Sequence, residues 1–192
     1  MIDINNLDEL GGYKDTIINL FIKNQDIIDL VLPNPSSEYD INTQLLGSDT
    51  IKNSDGTLMF EGQIFPYFYT DGTNEKARTF VLVDDNVLKV NSNEIFKTIR
   101  IFIYIFTEKS LVKLTNKEKV KFNKTKNYKG ICRTDILATV IDNILNKSSI
   151  FGIKDLKLEG VDIYKPSNNL YYGKVLIYTA TCQNIGGDVC GN

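Results

Sequence analysis

The stretch 132–181 constrains this chain more than any other, because it reads as one helix followed by two strands. Ile136, Leu137, Val140, Ile141, Ile144 and Leu145 recur at i, i+1, i+4, i+5, i+8 and i+9, which gathers them on one side of a 3.6-residue helix. Cys132 or Thr134 starts this helix, Asp135 suits its first turn and Lys147 its last, and Ser148-Ser149 and Gly152 end it. Asp142, Asn143 and Asn146 are expected to look outward. The β-rich runs 153–164 and 170–181 are joined by Lys165-Pro166-Ser167-Asn168-Asn169, a turn sequence, so a hairpin is predicted under the helix. Glu159-Gly160 interrupts the period of two and predicts a bulge. The fold class that follows is α+β, an antiparallel or mixed sheet packed by an N-terminal helix and by this second helix.

The N-terminal helix is predicted over 7–32, with Leu10, Ile17, Phe21, Ile28 and Leu32 inward and Asn19, Lys23, Asp26 and Asp29 outward. Gly11-Gly12 delays its start and Asp15 supplies a cap; Asn24-Gln25-Asp26 offers a second cap and a break, and Pro33 and Pro35 stop the helix. Strands are predicted at 79–83 and 87–90, with Asp84-Asp85-Asn86 as the turn between them. The longest β run is 94–106, where Ile95, Ile99, Ile101, Ile103 and Ile105 alternate with Phe96, Thr98, Arg100, Phe102, Tyr104 and Phe106. Its second half is apolar on both faces, as expected of a central strand covered from two sides.

Two segments lack a sustained period and are expected to be extended arms of a single domain spanning 1–182: 34–78 and 107–130. A flexible tail is expected at 183–192. In the first arm, 57–60 and 63–69 are candidate short strands about Glu61-Gly62. Phe65, Tyr67, Phe68 and Tyr69 are candidates for a subunit interface, since aromatics concentrated on a loop seldom stay in water. A fold-back of the same cluster onto the core is the alternative. The second arm carries eight lysines against Glu108 and Glu118, a net +6, and leaves the remainder of the chain at −8. Lys117, Lys119, Lys121, Lys124 and Lys126 are therefore candidates for contact with DNA or an acidic partner, beside the plainer reading of a solvated lysine-rich loop.

The chain has no histidine, which removes the commonest general base and the commonest metal ligand. Its three cysteines show no CxxC spacing, so neither a disulfide framework nor a zinc site is expected. Walker, GxGxxG, GxSxG, zincin and EF-hand patterns are all missing from the sequence. No catalytic residue, metal or cofactor is therefore assigned, and the chain is expected not to be an enzyme. The opposing reading is a carboxylate-dependent nuclease or hydrolase using Asp84, Asp85 and Glu94, and a third is a nucleic-acid-binding module using the lysines. No run is long and apolar enough for a membrane span, and Met1 to Leu10 lacks a signal-peptide pattern, so synthesis and assembly in a cytosol without a membrane partner are expected.

The order of elements and their motifs carry a resemblance. Ile64-Phe65-Pro66-Tyr67 precedes the strands, Arg133-Thr134-Asp135-Ile136-Leu137 opens the helix, Phe151-Gly152-Ile153 follows it, and the hairpin contains Tyr171-Tyr172-Gly173-Lys174-Val175. Over roughly 65–181 this resembles the neck proteins of tailed bacteriophages, the tail-terminator and head–tail connector group. The resemblance implies a non-enzymatic subunit of the virion, made in the bacterial host cytoplasm. It would assemble as a homo-oligomeric ring around the DNA channel, beside portal or connector and tail proteins, and could touch packaged DNA. A portal-adjacent adaptor of a short-tailed phage is the alternative placement. The lysine-rich 107–130 segment departs from the compact pattern of that group.

Overall fold

The computed structural model describes residues 8–68, 78–90, 96–149, 155–165 and 170–183. Within them the alternation of isoleucines organises a five-stranded mixed sheet. Its strands are β1 (Ile64–Phe65), β2 (Thr79–Val90), β3 (Phe96–Glu108), β4 (Lys157–Tyr164) and β5 (Tyr171–Gln183), in the order β1-β2-β3-β5-β4. β3 is central, antiparallel to both β2 and β5, and its Ile99, Ile101, Ile103 and Ile105 are completely buried on one face. β4 pairs antiparallel with β5, and β1 runs parallel to β2 through Ile64 with Val81 and Phe65 with Leu82. The fold is α+β. The predicted bulge is present: the β4–β5 register shifts between Leu158 and Gly160.

Three helices cover the isoleucine face: α1 (Asp8–Lys23), α2 (Gln25–Val31) and α5 (Arg133–Leu145). The break between α1 and α2 falls at Asn24, whose side-chain oxygen accepts from the amides of Asp26 and Ile27 at 3.0 and 3.1 Å. Gly11-Gly12 does not delay the helix; α1 begins at Asp8 and Asp15 lies within it. A glycine in a helix costs about 1 kcal/mol, which the burial of Ile17, Ile18 and Phe21 on the sheet outweighs. α5 has Cys132 at its N-cap position, without a side-chain capping bond, and stops at Leu145, because Asn146 is extended and Lys147 adopts a positive φ of 65°. Lys147 thus lies beyond the helix, not in its last turn. Of the three residues expected to look outward, only Asn143 is exposed. Asp142 accepts from the Tyr178 hydroxyl at 3.1 Å and Asn146 from the Leu158 amide at 3.3 Å, so both tie the helix to the hairpin.

The structure corrects further expectations. Asp84-Asp85-Asn86 is not a turn: β2 runs through it in register, with Asp84 opposite Phe102, Asp85 opposite Ile101 and Asn86 opposite Arg100. Lys14 of α1 lies 3.0 Å from Asp84 and 3.4 Å from Asp85 and compensates the charge placed in mid-strand. The 34–78 segment is not an extended arm over its described part. It holds α3 (Ile41–Leu46), whose Gln44 is tied to Ser36 and Tyr39 by three hydrogen bonds, and it returns to the sheet as β1. Of the two strands expected about Glu61-Gly62, 63–69 supplies β1, whereas 57–60 holds only an isolated bridge from Leu58 to Lys52; Gly62 takes a φ of +81° with its Cα so close to α3 that a Cβ would lie 2.8 Å from the Leu46 carbonyl oxygen.

The 107–130 segment is likewise folded. After β3 ends at Glu108 it forms α4 (Asn116–Lys119) and a π-helical turn (Val120–Thr125). Leu114 and Phe122, 2 % and 0 % exposed, anchor it in the core, so the backbone is folded onto the domain while most of its lysines stay in water. The expected tail begins with Gln183, the last residue of β5; its remainder, Tyr69, Glu94, Phe151-Gly152-Ile153 and the hairpin loop 166–169 lie outside the described residues.

Candidate interaction faces

The period of two that buries the isoleucines on one side places aromatics on the other. Phe80 and Leu82 of β2, Phe102, Tyr104 and Phe106 of β3, Tyr164 of β4 and Tyr171 of β5 share the face that no described helix covers. The residues after β1 lie across this face. Phe68 meets Tyr104 with ring centroids 4.7 Å apart and Tyr164 at 5.8 Å, both edge to face. Phe106 meets Tyr164 at 5.4 Å, and Phe80 meets Tyr171 at 5.7 Å. Each such pair contributes about 0.5–1.5 kcal/mol beyond simple burial. Phe106 lies flat because Gly173 is beneath it: a Cβ at 173 would stand 2.6 Å from the ring and 2.7 Å from the Tyr164 carbonyl oxygen. Burial, with the Asp84 carboxylate and the Tyr164 phenol nearby, pushes the Tyr104 phenol above its usual pKa.

Of the four aromatic interface candidates, the structure therefore brings Phe65, Tyr67 and Phe68 onto one cluster, and Tyr69 lies outside the described residues. The fold-back reading holds for this cluster, which packs on the sheet. Phe65 is packed, whereas Tyr67 and Phe68 remain 51 % and 36 % exposed. Sequence reasoning missed Phe80, Tyr164 and Tyr171 as members of this face. The available signal was their place opposite the inward-facing residues of each strand.

Lys117, Lys119, Lys121, Lys124 and Lys126 lie together on α4 and the π-helical turn and its cap. The turn is held over α2, where Lys121 pairs with Asp29 and Lys126 lies 3.5 Å from Asp26. Asp26 and Asp29, expected to face solvent, are thus partners of the lysine segment. Its start is fixed by a capping box: Thr115 bonds the Glu118 amide while Glu118 returns to the Thr115 amide at 2.8 Å. Glu118 also receives Arg133, which is 2 % exposed and donates to the carbonyls of Leu111 at 3.0 Å and Leu30 at 2.9 Å. Lys117, Lys119 and Lys124 have no ion pair among the described residues.

Asp84 and Asp85 share the Lys14 ammonium. Burial works against that ammonium, yet the hydrogen bond to Asp84 and the charge of Asp85 hold its pKa above the ordinary value. Burial pushes the Asp85 carboxyl up against the pull of Lys14. The pair is engaged across the α1–β2 contact. Among the described residues no group of three or more acidic or cysteine side chains is placed to hold a metal ion, and no helix is long and apolar enough to cross a membrane.

The sequence profile of the YomW family matches residues 24–180, from the α1–α2 break almost to the end of β5. The chain belongs to the YomW family. That name is of the type given to Bacillus phage genes, which makes this a phage-encoded kind of protein. The YomW match takes in both faces described above, the aromatic cluster and the lysine segment. No curated protein matches the chain.

Proposed function

We propose that this YomW-family protein is a non-enzymatic structural subunit of a bacteriophage virion neck, a tail terminator or connector. It assembles as a ring around the DNA channel at the junction of head or portal with tail. The observation that carries this reading is the sheet face that no described helix covers, where an aromatic cluster ends in the exposed rings of Tyr67 and Phe68. A patch of this kind on a small protein marks a contact with another protein, since rigid aromatics give large contact area at low entropic cost. Membership of a phage-type family supports a virion setting. The engagement of Asp84 and Asp85 with Lys14 supports a structural role over hydrolysis by those carboxylates.

Size exclusion with mass measurement over a concentration series tests the reading. A ring or a concentration-dependent oligomer is expected, and a strict monomer at the highest concentration counts against it. Tyr67→Ser with Phe68→Ser is expected to weaken assembly while leaving the far-ultraviolet circular dichroism unchanged.

A further inference from the structure

A groove of about 670 Å³ lies between α1, the end of α3 and β1. Phe60, Phe65, Tyr67 and Phe80 contribute aromatic surface to it, and Asp15 and Asp49 stand exposed on its rim. A third rim carboxylate, Glu61, is bonded to Arg78 at 2.7 Å. Asp15 and Asp49 have no ion pair among the described residues. Aromatic walls beneath carboxylates suit a cationic side chain with a long apolar stem, which lays its methylenes on the rings and its ammonium against the acids.

We propose that this groove receives the lysine-bearing 116–125 turn of a second copy of the chain. Among the described residues Lys117, Lys119 and Lys124 have no ion pair in their own copy, and Asp15 and Asp49 have none, so the two surfaces are complementary in charge. The turn does not reach the groove of its own subunit. Phe122 is completely buried, and Lys121 and Lys126 bind Asp29 and Asp26 of α2, an element that contributes nothing to the groove. One surface of each copy therefore meets a different surface of the next. Such a head-to-tail contact generates a ring when its rotation closes. The inference rests on the ring reading above and adds to it the two surfaces that meet.

The test uses three forms of the full chain beside wild type: Asp15→Lys with Asp49→Lys, then Lys117→Glu with Lys119→Glu and Lys124→Glu, and finally all five together. Each partial set is expected to raise the concentration for half-assembly by about tenfold or more, and the complete set to restore assembly to within about threefold of wild type. Where a reversed form loses its circular dichroism signal, the neutral sets Asp→Asn and Lys→Gln at the same positions are read instead, with a smaller loss expected from each. A wild type that assembles while both partial sets assemble equally well overturns the groove contact and leaves the ring intact. Failure of the folded five-fold form to recover also overturns it. A wild type that stays monomeric overturns the ring reading and this contact together.

Discussion

The guanidinium of Arg133 donates to the Glu118 carboxylate while another of its nitrogens donates to the Leu30 carbonyl oxygen at 2.9 Å. One buried cation thereby joins the start of α5, the capping box of α4 and the end of α2. Removing one partner of such a pair leaves the other charge buried without compensation. Arg133→Ala is expected to destabilise the fold by about 3 kcal/mol or more. Arg133→Lys restores only part of the loss, because an ammonium cannot reproduce the planar fork. Urea midpoints for the two variants check this order; equal midpoints for wild type and Arg133→Ala would show that the contact contributes little.

Burial opposes ionisation of Glu118, but the hydrogen bonds from the Thr115 hydroxyl and amide and from Arg133 outweigh it and hold the carboxyl below its ordinary value of 4.5. A carboxyl with a depressed folded pKa stabilises the native state above its unfolded pKa and loses that contribution as pH falls through the folded value. Wild-type stability should therefore decline on acidification below 4.5. Glu118→Gln is expected to start lower at neutral pH and to decline less steeply. Denaturant midpoints measured across this range decide it, and parallel acid limbs would remove Glu118 from the explanation.

Gly173 is required by the approach of Phe106 and the Tyr164 carbonyl. The ring can turn aside, but the backbone oxygen at 2.7 Å belongs to the neighbouring strand and moves only with it. Gly173→Ala is expected to cost about 1–3 kcal/mol and to loosen the aromatic cluster. A lowered melting temperature together with a weaker near-ultraviolet circular dichroism signal is the expected result.

Lys119→Glu with Lys121→Glu separates assembly from folding. The Lys121–Asp29 pair has a half-exposed lysine, and such pairs contribute roughly 0–1 kcal/mol. The melting temperature is expected to fall by only a few degrees, about 2–4 °C per kcal/mol for a domain of this size, while oligomerisation or DNA retention changes more. A collapse of thermal stability with unchanged assembly would reverse that assignment.

Local pattern was enough to find α5, the β4–β5 hairpin with its bulge, the cap at Asn24 and the central strand with its inward isoleucines. The helix and strands follow from repeats of 3.6 and 2, the bulge from a break in the latter and the cap from an Asn before the helix, all of which depend on near neighbours alone. Periodicity also implied that β3 is apolar on both faces in its second half, and the aromatic cluster is the structural form of that fact. Tertiary structure decided the rest. Asp84 to Asn86 remain in strand because Lys14, seventy residues away, supplies a counter-charge. The lysine-rich segment folds because Phe122, Arg133 and two aspartates of α2 are within reach only in the assembled domain. The interface candidates Tyr67 and Phe68 became part of a surface only when β1 paired in parallel with β2 and carried them over the sheet. The sequence by itself determined the long periodic elements and which side of each is apolar; the three-dimensional packing determined the short helices and which charges meet, because those partners lie from fifteen to about a hundred residues apart and no local pattern encodes them.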